Sequence, residues 1–109
     1  MDIFKFWKQV ENLGKNYPDI SFYLEDNGDD NEVYIASIMR LNPTKTRKGI
    51  GREFLKKFCF ICDCYGVNVE LQIEEYSAKS KLKFLYESVG FYVIDEEEDE
   101  YIRMRRESK

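Results

Sequence analysis

The residues best suited to chemistry lie between Met39 and Leu55, in the stretch MRLNPTKTRKGIGREFL. Lys45, Arg47 and Lys48 lead into Gly49 and Gly51, with Arg52 just beyond, and this grouping suits an anion. An apolar run closes at Leu41, turns at Asn42-Pro43, crosses the basic residues and passes into a run of helical period. A strand, a glycine-bearing loop and a helix N-terminus make an anion site out of backbone. The first N–H groups of a helix have no intrahelical acceptor, the helix dipole adds partial positive charge, and glycine lets a phosphate approach closely. The phosphates of a ligand are expected here.

What the chain lacks narrows the chemistry further. Its 109 residues include no histidine, which excludes Ser-His-Asp and Cys-His catalysis and histidine-ligated metals. Proton transfer then falls to Asp, Glu, Tyr, Lys, Cys or water. Cys59-x-x-Cys62 has the spacing of half a metal site, but three cysteines without histidine leave a zinc shell short. Cys59, Cys62 and Cys64 are odd in number and crowd one helical stretch, so they read as buried helix cysteines in a reducing, cytoplasmic setting, and no metal is expected.

Hydrophobic residues at 43% and aromatics at 16% argue for one domain with its own core. A net charge of −4 argues against a non-specific nucleic-acid binder. No apolar run approaches the ~20 residues of a membrane span. Met1-Asp2-Ile3-Phe4-Lys5 lacks the basic start and cleavage site of a signal peptide.

The elements that must position the glycine loop follow from periodicity. Ile3, Phe6, Val10, Leu13 and Tyr17 give an amphipathic helix over 2–16, ended by Pro18. Ile20, Phe22 and Leu24 alternate with polar neighbours, a half-buried strand, and Asn27-Gly28 opens a hairpin connection. From Val33 to Leu41 both alternating sets are mostly apolar, which predicts a strand in the middle of a covered sheet. Ile50 to Cys62 forms a broad helical stripe capped at Gly66. Val67, Val69, Leu71 and Ile73 give a second core strand with Glu70 and Gln72 on its polar side. A helix capped by Ser77 runs to Gly90, and Phe91–Ile94 and Tyr101–Met104 flank an acidic turn, Asp95 to Glu100. The order is α-β-β-α-β-α-β-β.

Three motifs in that order resemble the GCN5-related N-acetyltransferase (GNAT) superfamily. The family's acyl-CoA signature is matched by Leu41, Pro43, Gly49, Ile50 and Gly51, with Leu55 as the leucine of the following helix. Its "Leu-Tyr-Glu-x-x-Gly-Phe" is matched by Leu85, Tyr86, Glu87, Gly90 and Phe91, and its closing strand by Tyr101, Arg103 and Met104. Thr46 stands where the family has Arg or Gln, with Arg47 beside it, and the Asn often found near position 79 is absent. The short N-terminal half is similar in layout to small phage-encoded acetyltransferases.

The resemblance implies an α/β fold, a mixed sheet of about five strands with helices on both faces, in one domain, 1–109. Residues 1–40 would form a shortened acceptor side, 41–65 the acyl-CoA pyrophosphate loop and helix, and 66–109 the second core strand, helix and closing hairpin. Acetyl-CoA would be the co-substrate, held by Leu41, Asn42, Pro43, Thr46, Arg47, Lys48, Gly49, Ile50, Gly51 and Arg52. The pantetheine arm would enter between the strand ending at Leu41 and the strand Val67–Ile73. Tyr86 would be the general acid for the departing thiolate. The residues themselves offer Glu70 as a general base on the polar strand face, with Glu32 and Glu74 as weaker candidates. The expected reaction is transfer of an acetyl group to an amine by direct attack in a ternary complex. The acceptor is a protein lysine, an N-terminus or a small amine, with a protein favoured by the open acceptor side. A non-catalytic interaction module of the same fold is the alternative. Exposed apolar residues such as Phe4 or Trp7 would mark a homodimer or substrate surface, unless they cover the sheet.

Overall fold

The computed structural model describes residues 3–26, 31–40, 49–74, 79–97 and 100–109. Their elements follow the expected order: α1 (Ile3–Lys15), β1 (Ile20–Asp26), β2 (Glu32–Arg40), α2 (Ile50–Tyr65), β3 (Asn68–Ile73), α3 (Lys79–Glu87), β4 (Tyr92–Glu97) and β5 (Tyr101–Arg106).

Helix α1 buries Phe6 and Leu13 and half-buries Trp7 and Val10, one stripe at helical spacing. It lies against α2: Phe6 meets Tyr65 edge-on at 6.2 Å, and Tyr17, just past the helix, meets Phe54 at 5.4 Å. Helix α2 buries Phe54, Leu55, Phe58, Cys59 and Cys62 on the face turned to the sheet. Gly49 and Gly66 bound it, both in the left-handed conformation with φ 84 and 67, which non-glycine residues adopt at a cost. Val67 N–H closes the C-terminal end onto Cys62 O at 2.9 Å.

The five strands form one sheet in the order β1-β2-β3-β5-β4, with β2 and β3 parallel and the other neighbours antiparallel. In β3 and β5 burial alternates strictly. Val69, Leu71, Ile73, Ile102, Met104 and Arg106 are buried on one face, and Glu70, Gln72, Arg103 and Arg105 lie on the other.

One expectation is corrected. Strand β2 carries two apolar sets because its register shifts, not because both faces are covered. It pairs Tyr23 with Ser37 but Leu24 with Ile35, so one extra residue lies between and the parity switches. Val33, Ile35 and, past the irregularity, Ile38 therefore share the core side, where Phe22 opposite Ile38 packs on Phe54 and Phe58 at 5.0 and 4.9 Å. Apolar side chains of α1, α2 and α3 join the core that Val69 and Met104 enter, and Arg106 bonds to both Asp63 of α2 and Val89 beyond α3. On the opposite, polar face of β3 and β5 charged side chains pair with one another.

Candidate functional site

The N-terminus of α2 has the features of an anion cradle. The first bond of the helical ladder runs from Glu53 N–H to Gly49 O at 3.1 Å, so the N–H groups of Ile50, Gly51 and Arg52 precede that ladder. Gly49 supplies no side-chain cap. Its left-handed backbone explains the glycine there. Gly51 has no such reason: its φ is not positive, and a Cβ built on it meets no described atom within 4 Å. Nothing described in the protein therefore requires glycine at 51, while close approach of a ligand would. Arg52 is exposed beside it. Leu41, Asn42, Pro43, Thr46, Arg47 and Lys48 lie outside the described residues.

The strands flanking this helix diverge. β2 and β3 are in register from Glu32 with Asn68 to Ile35 with Leu71, and among the described residues no further pair joins them. β2 nevertheless continues to Arg40, paired there with β1, and β3 continues to Ile73, paired with β5. The gap opens at the C-terminal ends of two parallel strands, the end from which β2 leads to Gly49. That is where open α/β sheets place ligands.

Tyr86 lies on the last turn of α3. It is 4% exposed, with its ring edge-on to Phe91 at 5.4 Å. Burial pushes its phenol up to about 12, so it keeps its proton at neutral pH.

Glu70 lies on the polar face, within an ionic net. Arg105 donates through Nη1 to Glu70 Oε1 at 2.9 Å and through Nη2 to Glu32 Oε1 at 2.6 Å. Arg103 Nη2 stands 4.0 Å from Glu70 Oε2. Glu74 accepts a bond from Gln72 Nε2 at 2.6 Å. Tyr34, opposite Glu70 in register, has its phenol pushed up by burial and then by the charge of Glu74. Tyr86 and Glu70 are thus not side by side: the helix-side core holds the first and the opposite face of β3 the second.

Sequence reasoning missed the part played by the arginines. Arg105 pairs with Glu32 and Glu70, and Arg106 pairs bidentately with Asp63 at 2.9 Å. The alternation of Arg103 and Arg105 on β5 with Glu70 and Gln72 on β3 was the available signal. The acidic turn itself is shorter than expected. Asp95, Glu96 and Glu97 belong to β4, and Tyr101 donates to Asp95 at 2.9 Å. Cys59 and Cys62 are buried, Cys64 is exposed, and burial pushes the Cys59 thiol up to about 11 and that of Cys62 higher still. Among the described residues no group of His, Cys, Asp or Glu could hold a metal, and no helix is long and apolar enough to cross a membrane.

No sequence-family profile matches the chain, and no curated protein matches it. Solved structures do. The ribosomal-protein-S18-alanine N-acetyltransferase from Escherichia coli is 20% identical, with a TM-score of 0.57 over 91% of this chain and 77% of that one. Ard1 from Thermoplasma volcanium is 15% identical, with a TM-score of 0.60 over 92% and 78%. An acetyltransferase of the GNAT family from Staphylococcus aureus is 15% identical, with a TM-score of 0.55 over 96% and 79%. The chain has the fold of these acetyltransferases, at identities where fold alone is shared.

Proposed function

We propose that this protein is an acetyl-CoA-dependent N-acetyltransferase acting on an amine, with a protein as acceptor. One observation carries the reading: the helix N-terminus at Gly49–Arg52 and the gap between β2 and β3 occur at the same end of the sheet. An elongated ligand with a phosphate-bearing half and a narrow arm suits both. The backbone N–H groups of Ile50, Gly51 and Arg52 would take the pyrophosphate, with the loop from Leu41 to Lys48 completing the cradle. The arm would lie between the strands and pair with the edge of β2 that β3 leaves open.

With the thioester in the gap, the acceptor nitrogen attacks its carbonyl carbon, the C–N bond forms and the C–S bond breaks. Tyr86 gives its proton to the departing thiolate, and Glu70, or a water that it holds, takes the proton from the amine. Attack on one face of the carbonyl gives a tetrahedral intermediate, and its collapse restores the carbonyl and expels the thiolate. A lysine acceptor of pKa ~10.4 costs about 5 kcal/mol to deprotonate at pH 7, which is why a base at this position matters.

The second reading, a non-catalytic interaction module of the same fold, draws on Thr46 and on the engagement of Glu70 by Arg105. Incubation with acetyl-CoA and a cell lysate, followed by mass spectrometry, separates the two. Acetylated amines supported by the wild type and not by Tyr86→Phe are expected. Coenzyme binding without any acetylated product would favour the module.

A further inference from the structure

On the polar face, one side chain spans three strands. Arg105 of β5 stands opposite Glu70 of β3 and reaches across that strand to Glu32, the first residue of β2. Glu32 in turn faces Asn68 at the start of the four registered β2–β3 pairs. The backbone is bonded at the same place, Asn68 N–H to Asn31 O at 2.7 Å. The guanidinium therefore clasps the two parallel strands at the end where they are joined, and beyond that end they part.

The clasp matters because of what it holds. Glu32 and Glu70 come from adjacent strands, each with about a fifth of its side chain exposed, and both lie on one cation. The other charged groups around it are Glu107, 3.8 Å from Arg105 Nε, and Arg103. Without the guanidinium, two partly buried carboxylates would repel across a parallel pairing only four residues long. The joined end would then yield, and the gap that opens from it would change width.

We propose that Arg105 is a positioning residue for the coenzyme: by clasping Glu32 and Glu70 it sets the width of the gap between β2 and β3 that receives the pantetheine arm. The inference rests on the coenzyme reading above. Arg105 acts through the strands and touches neither coenzyme nor acceptor.

Calorimetric titration of CoA into the wild type and the variants Arg105→Met, Glu32→Gln and their double tests it. Arg105→Met is expected to raise Kd about tenfold, or ~1.4 kcal/mol, at a stoichiometry still near one. Glu32→Gln removes only the β2 anchor and is expected to raise Kd about threefold, in keeping with a partly exposed ion pair. The double variant should bind no worse than Arg105→Met, because both changes break the same bridge. A merely structural role would instead lower the fraction of competent molecules, and so the stoichiometry, at unchanged Kd. Should Arg105→Met not fold, Glu32→Gln carries the test. Unchanged Kd in the folded variants overturns the inference and leaves the coenzyme reading standing, whereas no CoA binding by the wild type overturns both.

Discussion

Replacing Gly51 with alanine separates what stabilises the helix from what the ligand needs. Gly51 lies in the first turn of α2 without a positive φ, and an added methyl meets no described atom within 4 Å. In a helix interior glycine is about 1 kcal/mol less favourable than alanine, and the first turn retains roughly half to all of that difference. Gly51→Ala should therefore stabilise the ligand-free protein by about 0.5–1 kcal/mol, a rise of about 2–4 °C in Tm for a domain of this size. In the same protein the methyl would occupy the approach of the pyrophosphate to the N–H groups of Gly51 and Arg52. CoA affinity should fall at least about tenfold, or ~1.4 kcal/mol. Thermal denaturation and calorimetry on one preparation measure both. Higher Tm with weaker CoA binding is the expected pair. Higher Tm with unchanged CoA affinity would refute the argument that glycine at 51 makes room for a phosphate.

Other substitutions probe different links. Gly49→Ala should lower stability by about 1–2 kcal/mol in a denaturant titration, because φ 84 forces a side chain into the left-handed region. Tyr86→Phe should lower acetyl transfer at least about a hundredfold with CoA affinity nearly unchanged, and unaltered turnover would remove Tyr86 from the mechanism. The same variant has a pH signature. An unfolded tyrosine ionises near 10 and the buried Tyr86 only near 12, so the native state holds the extra proton in that window. The associated stability is fully present below pH ~10 and is lost as pH rises towards ~12, by about 3 kcal/mol in the wild type and not in Tyr86→Phe. Asp63→Asn should cost about 2–3 kcal/mol by leaving the buried Arg106 without its bidentate partner. The hydrogen bond from Arg106 holds the Asp63 carboxyl below its ordinary 3.8. Its contribution is present above that value and is lost as pH falls through the folded one, so the variant should show a shallower loss of stability in acid.

Much of this fold was legible because its breakers are local. Pro18, Gly66 and Gly90 end elements by backbone chemistry that needs no tertiary partner, and the strict alternation of Val69, Leu71 and Ile73 fixes a strand face by itself. The register shift in β2 was not legible, since one extra residue between Ile35 and Ser37 leaves no mark on composition while reversing every side chain beyond it. The candidate anion site was read from its glycines, but the two glycines differ in kind, one required by φ and the other by no described contact. The pairing of Arg105 and Arg106 with Glu32, Glu70 and Asp63 joins residues about 35 to 73 positions apart, beyond the reach of spacing rules.

If the N-terminus of α2 receives the phosphates of an acyl-coenzyme A, the backbone amides of Ile50, Gly51 and Arg52 will report it when CoA is titrated into 15N-labelled protein. Saturable shifts of these three amides with a single dissociation constant are expected, lost in Gly51→Ala. No shift of the three at millimolar CoA, or saturable shifts confined to other parts of the chain, would contradict it.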